Sequence, residues 1–215
     1  MTIQKLADRR LGEGYGAWIR TADGGRFYYE SGDGNQYDID VAAAAMSRIC
    51  RYAGHLNDDI AHDDIYSVAQ HSVYVYRLLK MKNAPVEALP WAICHDVPEA
   101  YFVDLPSPLK SLVPKYGELE DRSAEAFRTA FGIPYDEEIH ETVKWADYHL
   151  YFAEARILSG CPPEEFDDIP EPDKTLYEID PQFFLWRPAY ARYQFKMAFL
   201  EAMSLYRGEA YADAS

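Results

Sequence analysis

The apolar positions of this chain fall into long stretches of helical spacing, separated by short polar or proline-bearing breaks. From Asp40, the run VAAAAMSRICRYAGH predicts one helix behind an aspartate N-cap, stopped by Gly54. The spacing predicts a second helix from about Ile65 to Lys82, with Val68, Val75, Leu78 and Leu79 facing inward. A third, Ala88 to Asp96, is apolar and carries Pro90 in its first turn, where proline is tolerated. Two amphipathic helices, Glu118 to Phe131 and Asp136 to Leu158, are split by Gly132-Ile133-Pro134, and a last one runs from about Pro181 to Tyr206. Leu105-Pro106-Ser107-Pro108 predicts a rigid extended turn, because each proline disfavours helix for the residue before it. Gly160 to Asp180, proline-rich and acidic, predicts a long loop that is either a lid or a surface excursion. Helical spacing is absent only near the start, where Ala17–Arg20 and Arg26–Tyr29 flank Asp23-Gly24-Gly25 in the manner of a small hairpin. The expected fold class is all-α: a helical bundle over 40–207, an irregular β-hairpin extension over 1–39 and a disordered tail over 208–215.

Charge narrows the partners. With 36 acidic against 21 basic residues the formal net charge is −15. A binder of long nucleic acid needs a basic surface to displace counterions, so nucleic acid is not expected as a partner, nor is an anionic membrane. A small phosphorylated molecule remains compatible, because a metal ion with one or two cations inverts the field locally. Cys50, Cys94 and Cys161 are too far apart for a CxxC motif and indicate neither a disulfide framework nor a zinc knuckle. The opening MTIQKLADRR has no signal-peptide core and no run approaches a membrane span, which leads us to expect a cytoplasmic protein (host cytoplasm if phage-encoded).

Against that background three polar interruptions of apolar helices stand out. Cys94-His95-Asp96 ends an apolar helix and buries two groups that need partners. Ser67-Val68-Ala69-Gln70-His71-Ser72 puts another histidine on a helix with an apolar face, and Val143-Lys144-Trp145-Ala146-Asp147 puts a lone acid in an apolar stretch. Imidazole and carboxylate are standard ligands of divalent cations, and helical bundles build metal sites from inward residues of facing helices.

The order H…HD…D resembles the HD-domain phosphohydrolases. SVAQHS, HDVPEAYFVDLPSPLK and VKWAD resemble, in turn, the first ligand helix, the H-D-x-x-E-A-Y-x-x-D-x-P-x-P-x-K signature and the last ligand helix of the 5′-deoxynucleotidase branch. SRICRYAGH resembles the opening helix of a phage-rich subgroup that includes deoxyadenosine triphosphate hydrolases. The resemblance spans roughly residues 40 to 155. It implies His71, His95, Asp96 and Asp147 as ligands of one divalent ion (cobalt, manganese or zinc, or magnesium, iron or nickel). It further implies Glu99 and Asp104 as catalytic acids beside the reacting phosphate, and Arg51 and Lys110 as phosphate-binding cations. Tyr52 would pack against the sugar, with His55 and Pro108 at the substrate. The implied activity is release of phosphate or triphosphate from a 2′-deoxynucleotide, with a homo-oligomer (a dimer or larger ring) as the assembly. A non-catalytic nucleotide-binding or interaction module is the alternative.

Two departures from that pattern carry physical consequences. Gln70 stands where the pattern has an acid before the first ligand histidine, and Pro98 inside HDVPEA is expected to bend the helix and shift Glu99. His62, His140 and His149 are expected to serve surface or packing roles. Glu137-Glu138 and Glu164-Glu165 read as solvated faces, and the aromatic stripe from Phe183 to Phe199 as helix packing.

Overall fold

Asp38, rather than Asp40, starts the first helix: its carboxylate accepts from the Asp40 and Val41 amides and caps α1, Ile39–Met46. The computed structural model describes residues 16–31, 34–61, 64–158 and 173–209. The readings made for His62, Cys161, Glu164-Glu165, most of the 160–180 loop and the end of the tail lie outside them.

The helix expected to run to Gly54 stops at Met46 instead. Cys50 bridges Ser67 in antiparallel fashion, with Arg51 N–H bonded to Tyr66 C=O and Val68 N–H to Ile49 C=O. A 3₁₀ turn, Arg51–Gly54, follows, in which Tyr52 (φ 58°) and Ala53 (φ 51°) are left-handed. That conformation is unusual for side chains of this kind, and the bridge holds it in place. A short α2 (Asp58–Ala61) leads to α3, Val68–Met81, which opens on Ser67 accepting from the Gln70 amide.

Helix α3 is the axis of the fold. Val68 to Tyr76 are buried without interruption, so the helix has no solvent side over its first two turns. It packs against α4 (Leu89–Cys94), α8 (Glu137–Leu158) and α10 (Pro188–Arg207). Between α4 and α8 run α5 (Glu99–Phe102), α6 (Ser107–Lys110) and α7 (Pro114–Phe131). Pro108 sits in the first turn of α6, so Ser107-Pro108 opens a helical turn rather than prolonging an extended one. Gly132, at φ 64°, closes α7 in the left-handed conformation that glycine adopts without steric cost.

Part of the expected 160–180 loop is also helical: α9 spans Asp173–Ile179 and buries Leu176 completely. The last helix begins at Pro188, later than its spacing predicts. Residues 183–187 are non-helical, and Gln70 holds them: its amide nitrogen donates to Phe184 C=O and its oxygen accepts from Trp186 N–H.

At the other end β1 (Trp18–Arg20) and β2 (Arg26–Tyr28) pair antiparallel with Ile19 opposite Phe27. Phe27 is 1% exposed and stacks on Tyr101 at 4.1 Å, which joins the hairpin to the helical core. Among the described residues no helix is long and apolar enough to cross a membrane.

Candidate metal centre

The centre is built where α3, the end of α4 and α8 meet. Ser67 caps α3 and thereby sets His71 in its first turn, fully buried. Helix α4 ends at Cys94, and the chain tightens to 3₁₀-like bonds from Cys94 to Tyr101, with Pro98 heading α5. The bend expected at Pro98 is therefore present, and it carries His95, Asp96 and Glu99 inward together. Asp147 projects from the middle of α8, four residues after the inward Val143.

Ligand atoms of His71, His95 and Asp147 lie within 4.8 Å of one another, a cluster that can hold a metal ion. The Asp147 Oδ1 is 2.9 Å from His71 Nε2 and 3.8 Å from His95 Nε2. Asp96 Oδ2 stands 3.6 Å from His71 Nε2 and 3.3 Å from His95 Nε2. Ligands about 2.1 Å from one ion are separated by about 3 Å at right angles and about 3.4 Å at the tetrahedral angle. His71, His95 and Asp147 therefore sit at a spacing compatible with one coordination sphere, and Asp96 stands beside both histidines without joining that mutual cluster.

Both imidazoles are oriented for Nε2 ligation. His71 Nδ1 donates to Glu154 Oε1 at 2.6 Å, and His95 Nδ1 donates to Ala92 C=O at 2.9 Å. His95 Nε2 is buried and makes no hydrogen bond. Charge gives the same picture. Burial acts to lower both histidine pKa values, yet both are raised, His71 by Glu154 and Asp147 and His95 by Asp96 and Asp147. Burial pushes the two aspartates up, but the histidines pull Asp96 down to about 2 and hold Asp147 below the carboxylate range. The centre demands positive charge between its carboxylates, which protons or a cation satisfy.

Sequence reasoning missed Glu154. It is completely buried on α8, two turns after Asp147 on the same face. Its Oε1 takes His71 Nδ1 and the Tyr66 hydroxyl (2.6 Å), while its Oε2 takes the Tyr52 hydroxyl (3.1 Å) and faces Arg51 Nε at 3.5 Å. Burial raises its pKa, but His71 and Arg51 outweigh this and keep the carboxylate ionised. This residue supplies the acid that Gln70 does not.

The other predicted residues divide. Glu99 is 6% exposed, and burial, Asp96 and Asp104 hold its pKa well above the usual carboxylate range. Asp104 is half-buried and raised by burial and by Asp96. It follows Val103, whose φ of 64° is strained for a β-branched residue and is held by Tyr116 donating to the Phe102 and Val103 carbonyls. Arg51 lies against Asp96 at 3.2 Å, and Lys110 donates to Glu120 at 2.6 Å. Tyr52 turns its hydroxyl inward to Glu154. His55 and Pro108 are exposed and do not join this group: the His55 amide bonds to Tyr52 C=O, and Pro108 C=O accepts from Ser111. A cavity of about 840 Å³ opens over the centre, with His95, Asp96, Glu99, Lys110 and Asp147 in its wall.

No family model matches the chain. Uncharacterized protein YfdR of Escherichia coli (strain K12) is 34% identical over 166 residues, covering 72% of this chain and 86% of that protein. The chain belongs to one family with YfdR. Uncharacterized protein RCAP_rcc00048 of Rhodobacter capsulatus is a second relative, 32% identical over 167 residues, covering 74% of this chain and 83% of that protein. YfdR and this second relative bring no assigned activity, so the chemistry rests on the geometry of the centre.

Proposed function

We propose that the chain is a divalent-metal-dependent phosphohydrolase of the HD-domain type that acts on 2′-deoxynucleotides, with His71, His95, Asp96 and Asp147 as the ligands. The observation that carries it is the convergence of ligand atoms from His71, His95 and Asp147, with Asp96 Oδ2 3.3 Å from His95 Nε2 and Glu99 buried beside Asp96. A divalent ion would supply Lewis-acid polarisation of a phosphoryl oxygen and an acidified water.

The chain's own groups do the rest. Glu99 is buried next to Asp96 with its pKa raised, which suits protonation of a leaving oxygen. Asp104, less buried, takes the proton of the attacking water. Arg51 and Lys110 are cations at the two edges of the centre, and in this state each is paired with a carboxylate. A phosphate arriving at the centre exchanges those partners, drawing Arg51 from Asp96 and Lys110 from Glu120.

The test combines metal analysis of the purified protein with product chromatography on deoxy- and ribonucleotide mono-, di- and triphosphates, with manganese, cobalt or zinc. We expect about one metal per chain and nucleoside release that disappears in Asp96→Ala. Bound metal without turnover on any nucleotide would replace the hydrolase by a non-catalytic nucleotide-binding module.

A further inference from the structure

The cavity extends beyond the metal centre along two helices, and what lines its outer part has no role in the chemistry above. Trp91 is one helical turn before His95, and Lys144 and His140 lie one and two turns before Asp147 on α8. Arg128 of α7 faces them. Its guanidinium lies 3.8 Å from the Tyr135 ring centre and 4.8 Å from that of Trp91, and the two rings meet edge to face at 5.5 Å. Tyr135 is itself fixed through its hydroxyl, 3.0 Å from His140 Nδ1.

Arg128 differs from the inner cations. Arg51 is spent on Asp96 and Glu154, and Lys110 on Glu120. Among the described residues Arg128 makes no ion pair or hydrogen bond with a carboxylate; Glu125 and Asp121 act on it only at longer range. Aromatic packing fixes the guanidinium plane and leaves its N–H fork available, which is the preorganised geometry for an oxyanion. Lys144, paired at 3.7 Å with Glu141 and exposed, adds a further cation at the rim, where Arg122 also stands beside Glu118, Asp121 and Glu125.

We propose that Arg128, with His140 and Lys144, forms a second anion subsite in the cavity, which receives the distal phosphates of a nucleoside polyphosphate. The inference rests on the hydrolase reading for the inner phosphate and selects polyphosphorylated over monophosphorylated substrates. The subsite adjoins the centre along both helices, with Trp91 and Lys144 each one turn from His95 and Asp147.

The experiment is calorimetric titration of inorganic triphosphate and of inorganic phosphate into manganese-loaded protein dialysed free of excess metal. We expect triphosphate to bind at least about tenfold more tightly than phosphate. Arg128→Gln should remove about tenfold of triphosphate affinity, Arg128→Lys less, and Lys144→Gln a few-fold. Lys144 is exposed, so its variant keeps the test decisive should Arg128→Gln fold poorly. Equal affinity for the two anions, or triphosphate binding indifferent to both Arg128 and Lys144, overturns the subsite. Arg128-dependent triphosphate binding without nucleotide turnover keeps the subsite and removes the hydrolase; turnover with unaltered triphosphate binding does the reverse.

Discussion

The two walls of the cavity are built on opposite terms. On the α3 side Glu154 is fully buried and completely partnered, its four contacts fixing His71, Tyr66, Tyr52 and Arg51. On the α4–α5 side Glu99 Oε2 is equally inaccessible and makes no hydrogen bond, and His95 Nε2 faces only carboxylate oxygens, Asp96 at 3.3 Å and Asp147 at 3.8 Å. Burying an unsatisfied polar atom costs about 1–3 kcal/mol, a cost that Glu99 Oε2 carries beside the cluster. On the proposed reading the Glu154 wall is scaffold and the His95–Glu99 wall takes the cation and the reacting group.

The sharpest way to break this contrast is to remove a ligand. Asp147→Asn should abolish metal retention in elemental analysis and take turnover below detection, and a variant that still binds metal and turns over would remove Asp147 from the set. Next in size is Glu99→Gln. The amide is nearly isosteric with the carboxyl group and matches the neutral form that burial favours at Glu99. The melting temperature should hold while turnover falls about 10²–10⁴-fold; a large loss of stability would show that Glu99 is structural.

Glu154→Gln should show the opposite profile. Metal affinity is expected to weaken about 10–100-fold, and stability to fall by about 3 kcal/mol as Arg51 and His71 lose a buried partner. Titration calorimetry and denaturant melts read the two effects separately, and a variant as stable as the parent would mean that the inner wall is not scaffold.

The smallest effect concerns pH. His71 and His95 have raised pKa values in the metal-free protein. Their contribution to stability is complete below the unfolded value of about 6.5 and is lost as pH rises through the folded values. Metal-free protein should therefore melt lower as the pH climbs above about 6.5, and a bound cation should prevent this. The gap between the loaded and metal-free melting temperatures is expected to widen by a few degrees; a constant gap would separate the histidines from the cation site.

His71, His95, Asp96 and Asp147 stand out in the sequence because each interrupts an apolar helix; His71, His95 and Asp147 bring ligand atoms within 4.8 Å of one another, and Asp96 lies beside both histidines. Glu154 interrupts one too, in Phe152-Ala153-Glu154-Ala155, and its offset of seven from Asp147 was the available signal. Its meaning depends on Tyr66 and His71, 88 and 83 residues away, which no local pattern reports. The end of α1 at Met46 was hidden for the same reason. SRICRYAGH has helical spacing, but the Cys50–Ser67 bridge, a tertiary contact, overrides it. The Arg128 cluster joins α4, α7 and the segment before α8, so its parts read separately as ordinary helix faces.

Glu154 has one further consequence. One of its oxygens aligns His71, and the other aligns Tyr52 and faces Arg51. Any ligand that stiffens one edge lowers the ordering cost still to be met at the other. Cation and nucleotide should thus bind with positive cooperativity, and thermodynamic reciprocity requires that each raise the other's affinity by the same factor.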